Sequence, residues 1–176
     1  MKKIIKIIKI TLVVFFLLIS NIVNAVIEPP FKNIIVNKQP IEYKDIFFKD
    51  YDGNVVNLKD QKSQIYFLNF WATWCLPCKE EMPYLDKLQN VNGIKIFPIN
   101  IEKNNKLKTK IFFKSLEIKN LSIYFDIETN LVNLFRLRAL PTTIILNKDR
   151  KEIARVLGAV DFSDQRFIDW LNSVSN

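Results

Sequence analysis

Apolar runs and amphipathic stretches alternate along this chain, and each change of period marks an element boundary. Ile65 to Trp71 (IYFLNFW) is an apolar, aromatic run with no charge, and it predicts a buried strand. Ala72-Thr73-Trp74 then turns the chain into Cys75-Leu76-Pro77-Cys78. Beyond it the period becomes helical: Leu76, Met82, Leu85 and Leu88 share most of one face, with Lys79, Glu80, Asp86 and Lys87 elsewhere. Asn92-Gly93 stops that helix. Ile94 to Ile101 reads as a second buried strand, Asn104 to Leu116 as an amphipathic helix, and Ile123 to Asp126 as a short strand or loop. Thr129 to Leu137 reads as a short helix with Leu131, Leu134 and Phe135 inward. Leu140 to Leu146 and Glu152 to Leu157 are strands around an Asn147–Arg150 turn. A last helix points Phe167, Ile168, Leu171 and Val174 inward, with Asp161 or Ser163 as its cap. Before the central strand, Asp52-Gly53 lies between Ile46-Phe47-Phe48 and Val55-Val56, a strong hairpin signal. Strands alternating with helices and ending in a hairpin and a helix predict an α/β fold: a mixed sheet with helices on both faces.

The N-terminus follows a different logic. Lys2, Lys3, Lys6 and Lys9 precede an apolar run from Ile10 to Ile19, interrupted only by Thr11, and Val23-Asn24-Ala25 is a small-residue site. Residues 1–25 therefore read as a secretory signal peptide cleaved after Ala25. The alternative is an uncleaved anchor, which fits less well a run shorter than the roughly 20 residues of a membrane span. Residues 26–40, with Pro29-Pro30 and no periodicity, read as a linker or extended arm, and residues 41–176 as one domain. Export places that domain in an oxidising compartment, the periplasm or the outer face of the membrane.

Charge narrows the partners. The net charge is +8, but Lys2, Lys3, Lys6 and Lys9 carry half of it. The remaining lysines are scattered among Ile and Asn, so the basic surface reads as solvated and no nucleic-acid partner is expected. The chain has no histidine, which excludes Cys-His catalysis, His-Asp triads and His-ligated metal or haem sites.

The only two cysteines, Cys75 and Cys78, fall where a strand gives way to a helix. Unpaired N–H groups and the positive end of the helix dipole stabilise a thiolate there, which lowers the pKa of Cys75 and makes it an exposed nucleophile. Cys78, one turn on, is the resolving thiol. A purely structural disulfide is a poor use of the pair, because so short a loop removes on the order of 2 kcal/mol or less of unfolded-state entropy. A zinc site needs four ligands. Copper(I), which accepts two thiolates, keeps a copper chaperone open as an alternative. Glu81, three residues beyond Cys78, falls on the cysteine face of the helix, whereas Glu80 points away. Trp71 suits the core and Trp74 an exposed contact surface.

The segment Phe70-Trp71-Ala72-Thr73-Trp74-Cys75-Leu76-Pro77-Cys78-Lys79-Glu80-Glu81-Met82-Pro83 resembles the active site of the thioredoxin superfamily. It is most similar to the exported TlpA/ResA-like thiol-disulfide oxidoreductases. The resemblance covers roughly Ile41 to Val174 and implies a three-layer thioredoxin fold with an N-terminal β-hairpin extension. It implies that Glu81 is buried under the cysteines and exchanges protons with them, where cytosolic thioredoxins instead use an aspartate at the position of Asn69. It further implies that Leu140-Pro141-Thr142-Thr143 carries a cis-proline facing the cysteines. Trp74, Leu140, Pro141 and Thr142 are then the substrate-contacting set, and Pro83 is the kink proline of the active-site helix. No cofactor is implied, and the chain is expected to act as a monomer.

The activity so implied is reduction of specific protein disulfides in cytochrome c maturation or oxidase assembly, on an apocytochrome c or a copper-delivery protein. A membrane electron donor would restore the dithiol. Leu76-Pro77 between the cysteines, with no histidine, suggests a moderate reductant. A general disulfide-forming oxidant uses the same residues in reverse.

Overall fold

The uncharged run Ile65–Trp71 forms β4, buried at every position, in the computed structural model, which describes residues 28–103 and 106–174. A strand buried along its whole length needs hydrogen-bond partners for its backbone on both edges. β5 (Ile94–Asn100) pairs with it in parallel and β7 (Thr142–Asn147) antiparallel, so the sheet is mixed. Outside β7 lie β8 (Glu152–Leu157) and then β1 (Ile34–Ile41). Outside β5 lie β6 (Tyr124–Phe125), β2 (Phe47–Asp50) and β3 (Val55–Asn57). The described residues thus form one eight-stranded sheet of order β1-β8-β7-β4-β5-β6-β2-β3.

Strand alternation divides β4 between two cores. Ile65, Phe67 and Trp71 face α1 (Leu76–Leu88), α2 (Lys106–Ser115) and α4 (Gln165–Val174), packing with Met82, Leu85, Phe112, Phe113, Phe167 and Trp170. Tyr66, Leu68 and Phe70 face the other way, onto Phe48, Leu131 and Phe135, beside the short α3 (Asn130–Leu134). Helices on both faces of a mixed sheet give the three α/β/α layers expected from the element order. Asn69, the one polar residue of β4 apart from the phenol of Tyr66, lies on the α1 face, and its register partners are Thr143 on β7 and Pro98 on β5.

Several expectations are corrected. Residues 26–40 are not all linker: from Ile34 the chain is β1, with Ile34, Ile35 and Val36 opposite Val156, Arg155 and Ala154 of β8. Only Ile34 of this edge strand is buried, so no alternating apolar pattern marks it in the sequence. The Asp52-Gly53 hairpin forms, with Asp50 Oδ1 accepting from the Gly53 and Asn54 amides and Gly53 at φ +99°. It is the expected N-terminal hairpin extension, and through the pairing of β2 with β6 it continues the main sheet. The helix expected over Thr129–Leu137 shrinks to five residues, because Thr129 at its start and Arg136 near its end are left-handed at φ 58° and 52°. The last helix is capped by Asp164, whose Oδ1 accepts from the Arg166 amide at 2.8 Å, and by neither Asp161 nor Ser163.

Two residues of α1 are also reassigned. Leu76, expected inward, is 66% exposed. Asp86, expected outward, is buried and accepts from the backbone amides of Lys119, Asn120 and Leu121. A carboxylate that satisfies three loop amides can be buried without an ion pair. The leader, residues 1–25, lies outside the described residues. Among those described, no helix is long and apolar enough to cross a membrane.

Candidate active site

Cys75 and Cys78 meet at the C-terminal end of β4, where α1 begins. They form a disulfide with S–S 2.07 Å and Cα–Cα 5.3 Å. Cys75 is the N-cap of α1, and its Sγ accepts from the Cys78 amide at 3.3 Å. That donor and the helix terminus both favour negative charge on Cys75 once the disulfide opens. Cys75 is 5% exposed and Cys78 0%, so Cys75 is the outer cysteine of the pair, though it presents only a small window of sulfur to solvent. Around that window stand Trp74 and Leu76, 67% and 66% exposed. Trp71 is fully buried in the core.

The turn before Cys75 is clamped by a residue that no sequence pattern marks. Glu102 accepts from both the backbone N–H and the hydroxyl of Thr73, and pairs with Lys108 at 3.3 Å. Its own backbone amide donates to Asn100 Oδ1 at 2.7 Å. Burial alone would raise the Glu102 carboxyl, but the hydrogen bonds from Thr73, Lys108 and Asn100 outweigh it and hold the pKa below the usual carboxylate range. The signal for it is topological. β4 and β5 run parallel with Trp71 opposite Asn100, so the residues following each strand emerge side by side.

The antiparallel partner β7 starts where β4 ends, with Thr142 opposite Phe70. That register brings Leu140 and Pro141 to the cysteine end of the sheet, and the Leu140–Pro141 bond is cis. Thr142 is buried, with its hydroxyl donating to the Ala139 carbonyl at 2.8 Å, and Leu140 is half-buried.

One helical turn beyond Cys78, Glu81 is 1% exposed whereas Glu80 is exposed. Glu81 Oε1 accepts from Asn69 Nδ2 at 2.7 Å, and the same nitrogen donates to Thr143 Oγ1 at 2.9 Å. Burial pushes the Glu81 carboxyl up to about 8, against the opposing pull of Asn69 and of the Val160 backbone N–H. A buried carboxyl with that pKa is mostly protonated at neutral pH and can both give and take a proton. Among the described residues no group of three or more His, Cys, Asp or Glu side chains is placed to hold a metal ion.

Known proteins resemble this chain in sequence and in fold. The family described as Redoxin matches residues 29–165. The thiol-disulfide oxidoreductase ResA of Bacillus subtilis is 30% identical over 129 residues, 72% of this chain and 70% of that protein. ResA of Bacillus cereus is 32% identical over 112 residues, and the chain spans 64% of its length. Among solved structures, a DsbF homologue from Corynebacterium diphtheriae superposes with TM-score 0.66 at 26% identity, over 83% of this chain and 96% of that one. With the family matched from before β1 to the start of α4, the chain belongs to the Redoxin family, on its ResA-like thioredoxin-fold branch.

Proposed function

We propose that this chain is a thiol-disulfide oxidoreductase that works outside the cytoplasm and reduces specific protein disulfides. The observation that carries the reading is the Cys75–Cys78 disulfide at the head of α1 with the buried Glu81 carboxyl one turn behind it.

In the reduced protein, the Cys75 thiolate attacks one sulfur of a partner disulfide. A mixed disulfide forms and the partner's other sulfur leaves as a thiolate. Cys78 gives up its proton and attacks Cys75 Sγ. The second partner thiolate leaves, and two electrons have passed from the Cys75/Cys78 dithiol to the partner. Glu81 takes the Cys78 proton. With a pKa of about 8, roughly a tenth of the carboxyl is ionised at pH 7 and ready to act as base. Of the four residues expected to contact substrate, Trp74 and the half-buried Leu140 form the surface that receives the partner chain, Pro141 and Thr142 being buried behind it, and the exposed Trp74 and Leu76 supply its apolar contact.

The ResA-like branch supports partners of the cytochrome-maturation or oxidase-assembly kind, an apocytochrome c or a copper-delivery protein, with a membrane donor returning electrons to the pair. The basic, apolar leader at residues 1–25 supports export. The reduction potential of the Cys75–Cys78 couple tests the direction. A value below about −200 mV is expected, and one near about −120 mV, that of a strong oxidant, overturns the reductant reading. Stoichiometric copper(I) binding with no reduction of insulin would instead favour a copper chaperone.

A further inference from the structure

Asn69 is fully buried between Glu81 on α1 and Thr143 on β7. Both hydrogens of its Nδ2 are used, one on Glu81 Oε1 at 2.7 Å and one on Thr143 Oγ1 at 2.9 Å. Its Oδ1 has no hydrogen-bond partner among the described residues; Glu81 Oε2 has none at full hydrogen-bond geometry, the Val160 backbone N–H being the one other donor that acts on the carboxyl.

These contacts fix the orientation of the amide. A half-turn about χ2 would set its carbonyl oxygen against Glu81 Oε1. It would also move two N–H donors into the place where Oδ1 now finds no partner. Two orphaned buried donors cost more than one orphaned acceptor. The donor end therefore faces Glu81 whether the carboxyl is charged or neutral. In the carboxylate the bond is charge-assisted. In the acid, a carbonyl oxygen accepts the N–H better than a hydroxyl oxygen does, so Oε1 keeps the double bond and the hydroxyl falls on Oε2.

We propose that Asn69 is a positioning residue for Glu81: its Nδ2–H reserves Oε1 as a permanent acceptor, so the exchangeable proton is carried on Oε2, and Thr143 locks the amide by taking its second hydrogen. This rests on the reading of Glu81 as the proton carrier of the site and deepens it by naming the oxygen that works. It also gives a physical role to an amide in the middle of an otherwise apolar strand, where a residue of similar size with no polar atoms would leave the sheet pairing intact. The same N–H stabilises the carboxylate, so Asn69 moderates the upward push that burial exerts on Glu81.

The test uses the oxidised chain, in which the cysteines do not titrate, labelled with ¹³C at the Glu carboxyls. Glu81 is the resonance missing from Glu81→Gln. In Asn69→Leu the Glu81 midpoint should rise by about one pH unit or more, a tenfold gain in proton affinity, because a hydrogen bond to a charged group has been lost. The infrared C=O band of the protonated Glu81 should also move to higher frequency, because its carbonyl oxygen has lost a donor. Thr143→Val keeps Asn69 but frees its amide, and should move both readings the same way by a smaller step. It decides the matter if Asn69→Leu does not fold.

A midpoint unchanged within about 0.3 pH unit in a folded variant overturns the proposal. So does a midpoint that moves while the C=O band stays, since the proton would then be on Oε1. Whether Glu81 serves the cysteines is read separately, from the pH dependence of Cys75 alkylation in reduced Glu81→Gln. The two readings can therefore fail independently.

Discussion

Replacing Glu81 by Gln should change how stability depends on pH, and the sign follows from burial. The carboxyl titrates at 4.5 in the unfolded chain and is raised to about 8 in the folded one. Between those values the folded state holds a proton that the unfolded state has lost, so stability falls as pH rises. The advantage of the native acid is fully present below pH 4.5 and is gone above about pH 8. Each pH unit in that window costs about 1.4 kcal/mol, so the total is on the order of 5 kcal/mol, and about 3 kcal/mol is lost between pH 5 and pH 7. A glutamine side chain keeps the shape and cannot titrate. Urea unfolding of the oxidised wild type and Glu81→Gln at pH 5, 7 and 9 isolates the effect. The stability difference, wild type minus variant, should fall by about 3 kcal/mol from pH 5 to pH 7 and further by pH 9. Any constant cost of placing an amide beside Asn69 cancels from this slope. A difference that changes by less than about 0.5 kcal/mol between pH 5 and pH 7 would mean that Glu81 titrates as an ordinary carboxylate, and its role as proton carrier would go with it.

Cys78→Ser should leave Cys75 able to attack but unable to release its partner. The expected product is a stable mixed disulfide, seen as a mass shift that dithiothreitol removes, and continued turnover of insulin disulfides by this variant would refute the assignment of Cys78. Glu102→Ala should free the Thr73 turn and lower stability at neutral pH by about 1 kcal/mol. Because the folded Glu102 pKa is depressed, that contribution exists above the usual carboxylate range and disappears as pH falls through the folded pKa, so the two proteins should converge in acid. A gap that persists undiminished there would refute it. Asp86→Ala strips the amides of Lys119, Asn120 and Leu121 of their acceptor and should cost about 2 kcal/mol in urea unfolding, with faster hydrogen exchange confined to that loop. Exchange unchanged at these amides would show that the loop does not depend on Asp86.

Much of the site is legible in the sequence because its residues are close together there. Strand, turn, Cys75, Cys78 and Glu81 follow one another within 17 residues, Ile65 to Glu81, and helical spacing alone separates Glu81 from Glu80. The Pro141 segment lies far from the cysteines in sequence, and only its resemblance to a family motif points to it. Glu102 carries no such signal. It looks like any carboxylate after a strand, and its importance comes from the parallel register of β4 and β5. Asp86 reads as solvent-facing because helical phase cannot reveal a loop, more than 30 residues later, whose amides need an acceptor. β1 escapes detection because only Ile34 of its eight residues is buried, so the edge strand has no apolar rhythm.

Chain order alone set out the chemistry that local geometry can hold: two cysteines one helical turn apart, at the head of a helix whose next turn brings a carboxyl to the same face. Period and turn residues also dictated which stretches become strands and which become helices, because those preferences act over a few residues. The pairings that tune the site came from folding in three dimensions. Packing Asn69 of β4 against Thr143 of β7 and Glu81 of α1 buries a carboxyl beside a side-chain amide donor. No local pattern encodes that, because desolvation depends on what the whole fold brings around a group.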